Sequence, residues 1–555
     1  MHVPAIPEIP QTPMDATLTR VDFRPFEAEI KTCSRTWMQS TVFARENPQG
    51  VAVYSAYGDR SFLQLHENAN RLANAMLTRG LAPGDAVALL CRNRAEFLEV
   101  FLAAMRIGLR LTPINTHLNA AEVAYILGNC EAKAVFVEAA LMNELVSERN
   151  TSHSADIGAG VLRWPALTVV IDGGTMQGID YRELLENGDP APPSHPVIGS
   201  LMLYTSGTTG KPKGVFREAS EPIDPQYTGS HADYDPARDT VLCGGPAYHA
   251  APLLFDLRWP LASGVPIVML EKWDTLRVLE MIESHAITHA HMVTTMFQRM
   301  LALAPEARAK KNLSTLRFLL HGAAPCPVVV KRAMIDWLGP VLIEYYGATE
   351  GGDGIHIKSE DWLKKPGTVG RVDPALGHVI LDDHLREVPT GTVGKIYFKA
   401  PATGRFSYFG DAEKTADAYA GDRFTMGDMG YIDADGYLFL TGRIAECIIS
   451  GGVNIYPQEI DDVLLSHPAI RDVCTVGAPD DEWGEQVVSL IVLKEGHVGN
   501  TQLADEILKF AAGRLASFKR PRRIFFEIEL PRSATGKLLR QKVRERFWAD
   551  RNRSI

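Results

Sequence analysis

The sequence predicts an α/β protein: two doubly wound α/β lobes, then antiparallel strands, then a small C-terminal α+β unit. Three observations predict it. Between Asp85 and Ala140 short apolar runs alternate with helix-length amphipathic ones, and the same rhythm returns after Gly264. From about Gly391 the texture changes to short strands broken by Asp-Gly turns.

In chain order, "MHVPAIPEIPQTPMD" is proline-rich and acidic and reads as an irregular arm. "DAVALLCRN", "RLTPIN" and "AKAVFVEAA" are strand-length apolar runs, and "AEFLEVFLAAMRIGL" and "AAEVAYILGN" carry the helical period between them. After Gly264, "VPIVML", "ITHAHMVTT", "LRFLLHGAA" and "VLIEYYGATE" are strands, and "DTLRVLEMIESH" is a helix. "TVGKIYFKA" and "RFTMGDMGYIDADGYLFLTG" then read as antiparallel strands, with a boundary near Thr441. "PQEIDDVLLSHPAI", "DVCTVGAP", "VVSLIVLKE" and "QLADEILKFAAGRL" describe a compact unit of roughly a hundred residues, the usual size of one domain. "KLLRQKVRERFW" closes the chain's patterned part as a basic helix.

Bulk properties bound the function. The 555 residues are 46% apolar and 22% charged, too many for one core and too apolar for disorder. A net charge of -10 argues against general nucleic-acid binding, which needs an extended basic face. The seven cysteines are odd in number, scattered and never in CxxC spacing, which disfavours a disulfide framework and a zinc site and fits a reducing cytoplasm. No apolar run approaches the length that crosses a bilayer. The expectation is a soluble cytoplasmic protein, with a homodimer left open.

The most informative stretch is "YTSGTTGKPKGV", Tyr204 to Val215. After the short strand "LMLY", the loop offers the hydroxyls of Thr205, Ser206, Thr208 and Thr209, and Gly207 and Gly210 let its backbone N–H groups curl round an anion. It is no Walker loop, because Gly210-Lys211 is followed by Pro212 instead of the Ser/Thr that would hold magnesium. The bland reading is a surface turn. The order of residues favours the other: the stretch resembles the phosphate-loop signature of the adenylate-forming superfamily, which includes acyl-CoA synthetases, aryl-CoA ligases, luciferases and peptide-synthetase adenylation domains.

The resemblance runs from about Ala52 to Arg540. It implies a large N-terminal domain over residues 1–440, with two doubly wound subdomains and a distorted β-barrel. A hinge over 441–446 and a small mobile lid domain over 447–555 follow. It also implies ATP, Mg2+ and CoA as cofactor and co-substrates. "HGAAP" resembles the segment whose backbone (Gly322, Ala323, Ala324) packs on adenine. In "EYYGATE" the resemblance places Tyr346 on the purine, Thr349 on a phosphate and Glu350 on magnesium, a hard cation that favours oxygen ligands. Asp428 in "TMGDMGY" matches the carboxylate that accepts from the ribose hydroxyls, and Arg443 in "TGR" adds a cation. Lys213 belongs to the phosphate loop. Lys537 in "PRSATGKLLR" matches the lysine that reaches into the cleft. Taken alone, Tyr346 reads as core, Asp428 as a turn residue and Lys537 as a solvated charge.

These residues imply one mechanism, in which a carboxylate attacks the α-phosphate of ATP and the obstacle is bringing anion to anion. Lys537 bridges the two, Glu350-bound magnesium screens charge, and the loop from Thr205 to Lys213 grips pyrophosphate. For the second half-reaction, "IISGGVNIYPQEID" resembles the segment beside the pantetheine tunnel, with Gly451 and Gly452 making room for a thin ligand. A plain turn before the helix accounts for one of the two glycines. "GRIAEC" departs from the family by carrying Ala445 at the pivot, so the hinge residue is not assigned by matching.

"GGPAYHAAPLLFDL" resembles the acyl-pocket helix, with His249 on the acid's channel or, equally plainly, a core histidine bonded to a carbonyl. The stretch 216–240 is a Pro/Asp-rich loop where relatives start a helix, a candidate lid. The basic run Lys519 to Arg523 meets the 3′-phosphate of CoA or is a solvated edge. The expected activity is an ATP-dependent acyl-CoA synthetase for a fatty or otherwise largely apolar acid. Alternatives are an aryl- or steroid-acid CoA ligase, an enzyme loading an acyl carrier protein, a luciferase-like oxygenase and a silent nucleotide binder.

Overall fold

A computed structural model describes residues 20–151, 162–173, 178–205, 212–218, 222–533 and 536–549. The chain divides into two compact units. The first comprises Met1–Met292, Ala304–Leu320 and Pro401–Ala416; the second comprises Val293–Leu303, His321–Ala400 and Asp417–Ile555.

The first unit contains a six-stranded, wholly parallel sheet in the order Ile179–Asp180, Leu167–Ile171, Ala132–Glu138, Ala86–Leu90, Arg110–Pro113, Ser200–Leu201. Ala86–Leu90 is buried at every position, as an interior strand covered on both faces must be, which explains its unbroken apolar run. Covering helices begin where the sequence supplies caps: Ser61 and Gln64 form a capping box for Phe62–Thr78, and Asn119 and Glu122 do so for Ala120–Asn129. A second parallel set joins Val51–Ser55, Ile267–Met269, Val241–Cys243 and His289–Met292. Leu203–Thr205 and Lys213–Phe216 are adjacent antiparallel strands, with Thr205 directly opposite Lys213.

The stretch 222–240 is a wall of this unit and not a lid. Tyr227 and Tyr234 are 4% and 2% exposed. Gln226 N donates to Ser263 Oγ at 2.9 Å, and the Tyr227 hydroxyl donates to the Ser263 carbonyl at 3.2 Å. His289 Nε2 lies 2.9 Å from the Ala232 carbonyl. The aromatic residues hidden among Pro and Asp bury enough apolar surface to fix the chain.

In the second unit Leu342–Ala348 pairs antiparallel with Gly351–Lys358. A seven-stranded sheet contains Thr368–Arg371, Tyr437–Arg443, Asp428–Ile432, Gly394–Lys399, Arg423–Phe424 and Tyr419–Ala420, with Val379–Leu381 beside Gly394–Lys399. Its described pairs are antiparallel, as the Asp-Gly turns predict. The last stretch is α+β. The long hairpin Ile470–Asp480 with Gly484–Leu493 carries Ile448–Ser450, Val453–Ile455 and Arg523–Glu527 at its edge. One face packs Val473, Val487 and Ile491 with Ile460, Leu464 and Ile507; the other packs Cys474, Val488 and Leu490 with Val543. The two-residue alternation of the strands thus builds two cores.

Candidate functional site

The second unit brings Lys537, Asp428, Arg443, Tyr346 and Glu350 into one electrostatic neighbourhood. Asp428 opens the strand Asp428–Ile432 directly opposite Arg443, which fixes both side chains by register. The Tyr346 hydroxyl donates to Asp428 Oδ2 at 2.8 Å, and Arg443 Nε donates to Asp428 Oδ1 at 3.0 Å. Asp428 and Tyr346 are each 8% exposed, so an aromatic ring, a carboxylate and a guanidinium form one rigid group. Burial, with Asp428 beside it, drives the Tyr346 hydroxyl's pKa well up, so it stays a neutral donor. Burial acts to lower the Arg443 pKa, but Asp428 and Glu446 outweigh it and raise the value.

Lys537 is held by a tight turn in which Ser533 N donates to the Lys537 carbonyl at 2.8 Å and Lys537 N donates to Ser533 Oγ at 3.1 Å. Gly536 has φ +76°, and a Cβ there would fall on Thr295 Oγ1, so the turn and this close approach both demand glycine. The Lys537 ammonium is pushed down to about 8, first by burial and then by the Arg443 charge, against Glu446, Asp428 and Glu350, which hold it up. It is a cation short of negative charge. The solvated-charge reading of Lys537 does not hold.

The small residues of "HGAAP" serve the protein as well as any ligand. A Cβ on Gly322 would meet the Tyr345 carbonyl at 2.6 Å, so that glycine accommodates Tyr345. Ala323 is exposed and adopts φ +62°, uncommon for a residue with a Cβ. Ala324 is half-buried beside it.

Gly451 and Gly452 form the two-residue turn of the hairpin between Ile448–Ser450 and Val453–Ile455. Their φ values of +58° and +77° are those of a primed turn, which needs positive φ at both positions. The hairpin accounts for both glycines. Beside them sits a residue that sequence reasoning missed: Gly451 N donates to the Trp483 carbonyl at 2.8 Å, and Trp483 is 43% exposed with the Arg522 guanidinium 5.9 Å from its ring. An exposed indole with a guanidinium over its ring pairs an apolar face with a cation, the combination that suits a planar anionic ligand. The available signal was a tryptophan in the turn "DDEWGE". The basic run divides: Lys519 is bound to both oxygens of Glu459, at 2.8 and 2.6 Å, while Arg522 remains with Trp483.

The segment predicted as hinge is a short helical turn, Ile444–Glu446, containing Ala445. Glu446 pairs with Arg540 at 3.2 Å, and Arg540, 8% exposed, also pairs with Asp461 at 2.9 Å.

In the first unit, Thr205 and Lys213, the ends of the stretch read from sequence as a phosphate loop, lie opposite each other on paired strands, with Lys213 Nζ 4.9 Å from the Tyr408 ring centroid. Ser206, Gly207, Thr208, Thr209 and Gly210 lie outside the described residues. His249 is neutral: burial, and secondarily His117, push it down to about 4. Its Nε2 is buried with no hydrogen-bond partner, so it is not a core histidine bonded to a carbonyl.

Residues 41–408 match the family described as AMP-binding enzyme, and residues 459–537 match the AMP-binding enzyme C-terminal domain. The chain belongs to the AMP-binding, adenylate-forming enzyme family. It is 31% identical to a fatty acid–acyl-carrier-protein ligase of Streptomyces coeruleorubidus, over 94% of this chain and 98% of that one. It is 32% identical to an indoleacetate–CoA ligase of Aromatoleum aromaticum, over 90% and 95%. A crystal structure of an anthranilate CoA ligase in complex with anthranoyl-AMP superposes with a TM-score of 0.77 at 24% identity, covering 92% and 96%. Adenylate-forming enzymes of this family use ATP, Mg2+ and CoA. The fold class read from the sequence, with its large α/β part and smaller C-terminal part, is that of these enzymes. Among the described residues no three His, Cys, Asp or Glu side chains cluster as a cation cage, and no helix is long and apolar enough to cross a membrane. One carboxylate completed by phosphate and water oxygens is a donor set that Mg2+ accepts, and Glu350 is the carboxylate the sequence resemblance assigns to that role.

Proposed function

We propose that the protein is an acid–thiol ligase that adenylates a largely apolar carboxylic acid with ATP and passes the acyl group to CoA. Fatty, aryl and steroid acids are the candidate substrates. The observation that carries this reading is Lys537: a half-buried ammonium, pushed down to about 8, set beside Asp428, Arg443, Tyr346 and Glu350. A cation held short of counter-charge is suited to meet two anions at once, and here those are the acid's carboxylate and the α-phosphate.

In the first half-reaction a carboxylate oxygen attacks the α-phosphorus, the α–β bridging bond breaks, and pyrophosphate leaves as the acyl-adenylate forms. Lys537 stabilises the charge gathering on the carboxylate and α-phosphate oxygens. Asp428 accepts from the ribose hydroxyls, while Arg443 and Tyr346 hold it in place. Tyr346 presents its ring to the purine, along a wall formed by Gly322, Ala323 and Ala324. Glu350, with Thr349 beside it, holds magnesium, which when bound screens phosphate charge. Thr205 to Lys213 grips the leaving pyrophosphate. In the second half-reaction the thiol sulfur attacks the acyl carbon, the acyl–phosphate C–O bond breaks, and AMP leaves.

The turn at 441–446 is the proposed hinge and 447–555 the proposed lid domain, with Gly451, Gly452 and Trp483 facing the acceptor. His249 lines the acid's channel as a neutral side chain. An acyl carrier protein is the second candidate acceptor, supported by the Streptomyces relative. The test is a panel of acids with ATP, magnesium and either CoA or a carrier protein, read as ATP–pyrophosphate exchange and thioester mass. Thioester on CoA is expected. Exchange without CoA thioester overturns the acceptor, and no exchange with any acid overturns the adenylation.

A further inference from the structure

Arg258 ends the helical segment Pro252–Arg258, wound as a π-helix, nine residues after His249. Its Nε is buried without a hydrogen-bond partner, and Trp37, 1% exposed, lies 5.5 Å from the guanidinium. The first unit supplies partners when it buries an arginine. Arg94 is paired with Glu96 and Asp172, and Arg60 with Glu96 and Glu99. Even Arg106, which has no carboxylate, donates to Asn70 Oδ1, Ser40 Oγ and the His66 carbonyl. Among the described residues Arg258 has neither a carboxylate at ion-pair distance nor a neutral acceptor. Burial, and then the Arg217 charge, push it down to about 10.

The one carboxyl on the same segment does not neutralise it. Asp256 lies on the other side of the helix, accepts from His291 N at 2.9 Å, and is fully buried, which drives its pKa well up; it makes no ion pair with Arg258. Leu253, Asp256 and Leu257 pack inward, while Ala251, Leu254, Phe255 and Arg258 form a partly exposed stripe. A cation whose Nε is buried without an acceptor and that has no counter-charge costs free energy until an anion arrives.

We propose that Arg258, assisted by Arg217, binds a second anionic group at the far end of the acid substrate, making the substrate class an apolar α,ω-dicarboxylic acid. This rests on the reading of the protein as an acid-adenylating enzyme. Phe255 and Trp259, with ring centroids 4.8 Å apart, lie beside Arg258 on the same segment and suit the apolar body of such an acid.

The test compares a series of short to long α,ω-dicarboxylic acids with their monomethyl esters in ATP–pyrophosphate exchange on the full chain. The ester keeps length and shape and removes the remote charge. Wild type is expected to favour diacid over ester in kcat/KM by roughly thirtyfold or more, as for a desolvated charge pair. R258M should bring that ratio to about one or below, R258K should retain part of it, and R217M should lower it less than R258M. Equal use of diacid and ester by wild type, or an unchanged ratio in R258M, overturns the proposal. Exchange with esters or simple monoacids but not diacids overturns this inference and leaves the adenylation reading standing; no exchange with any acid overturns both. If R258M does not fold, R217M and R258K decide, and an unchanged ratio in both overturns the proposal.

Discussion

Replacing Lys537 with methionine should abolish adenylation and at the same time stabilise the fold. The ammonium's ordinary value is 10.5 and its folded value about 8. A shift of that size, at about 1.4 kcal/mol per unit, makes the charged side chain worth about 3 kcal/mol against folding at pH 7, an upper figure because the residue keeps some solvent contact. The sign follows from proton counts. Below about pH 8 the lysine is charged in both states and the penalty is whole. Between about 8 and 10.5 the folded state has shed its proton and the unfolded state has not, so the penalty shrinks with rising pH and then disappears. K537M removes the penalty by removing the charge. Its gain over wild type, from urea unfolding, should be about 1 to 3 kcal/mol at pH 7 and about 1 kcal/mol or less at pH 9.5. Exchange of pyrophosphate should be lost at both. A K537M protein no more stable than wild type at pH 7, or a gain that does not fall with pH, would refute the claim that Lys537 sits desolvated and short of counter-charge.

Other perturbations test the rest of the site. The same shift predicts that kcat/KM for adenylation falls as pH rises through about 8, and K537R, slower overall, should carry that limb upward because a guanidinium keeps its proton. Gly536→Ala should cut adenylation by about an order of magnitude or more, since positive φ and the Thr295 Oγ1 contact both resist a Cβ, and T295A should restore part of the loss by removing one of the two. Trp483→Ala should raise the KM for CoA about tenfold and leave pyrophosphate exchange unchanged; an altered exchange rate would show that the indole acts elsewhere. Asp428→Asn should weaken ATP by roughly 2 kcal/mol, read as KM, because it loosens the Tyr346 and Arg443 bonds together with the nucleotide contact.

What the sequence disclosed is what contiguous residues decide. Ala86–Leu90 reads as a buried parallel strand because its partners on both sides demand five apolar residues in a row, and the Lys537 turn is legible because Gly536 and Ser533 close it locally. Side chains whose meaning depends on distant partners stayed hidden. Trp483 becomes a candidate ligand platform only once the hairpin tip at Gly451 and Arg522, at the start of the strand Arg523–Glu527, are brought beside it. The stretch 222–240 looked like a lid because proline and aspartate dominate it, while its fate is set by Tyr227 and Tyr234, whose burial depends on Ser263 and Val265 far along the chain. Gly451 and Gly452 carry the opposite lesson. Both were legible, but the primed turn alone requires them, so their presence does not argue for pantetheine, and that argument passes to Trp483 and Arg522.

Lys537 and Arg258, in separate units, share a physical condition. Each is a cation whose charged form burial disfavours, each has a second cation acting on it, and each lacks an adequate carboxylate of the protein's own. Elsewhere the chain neutralises buried cations with care, as with Lys331 on Glu344 at 2.6 Å and Arg540 on Asp461 at 2.9 Å. Folding therefore leaves two electrostatic debts open while closing others of the same kind. Adding a long diacid should then raise the unfolding temperature more than its monomethyl ester does, by a margin that R258M erases and K537M does not, because binding to the folded state alone shifts stability by its affinity. Equal shifts from the two ligands on wild type would mean that Arg258 is compensated in a way that no contact of the folded chain reveals.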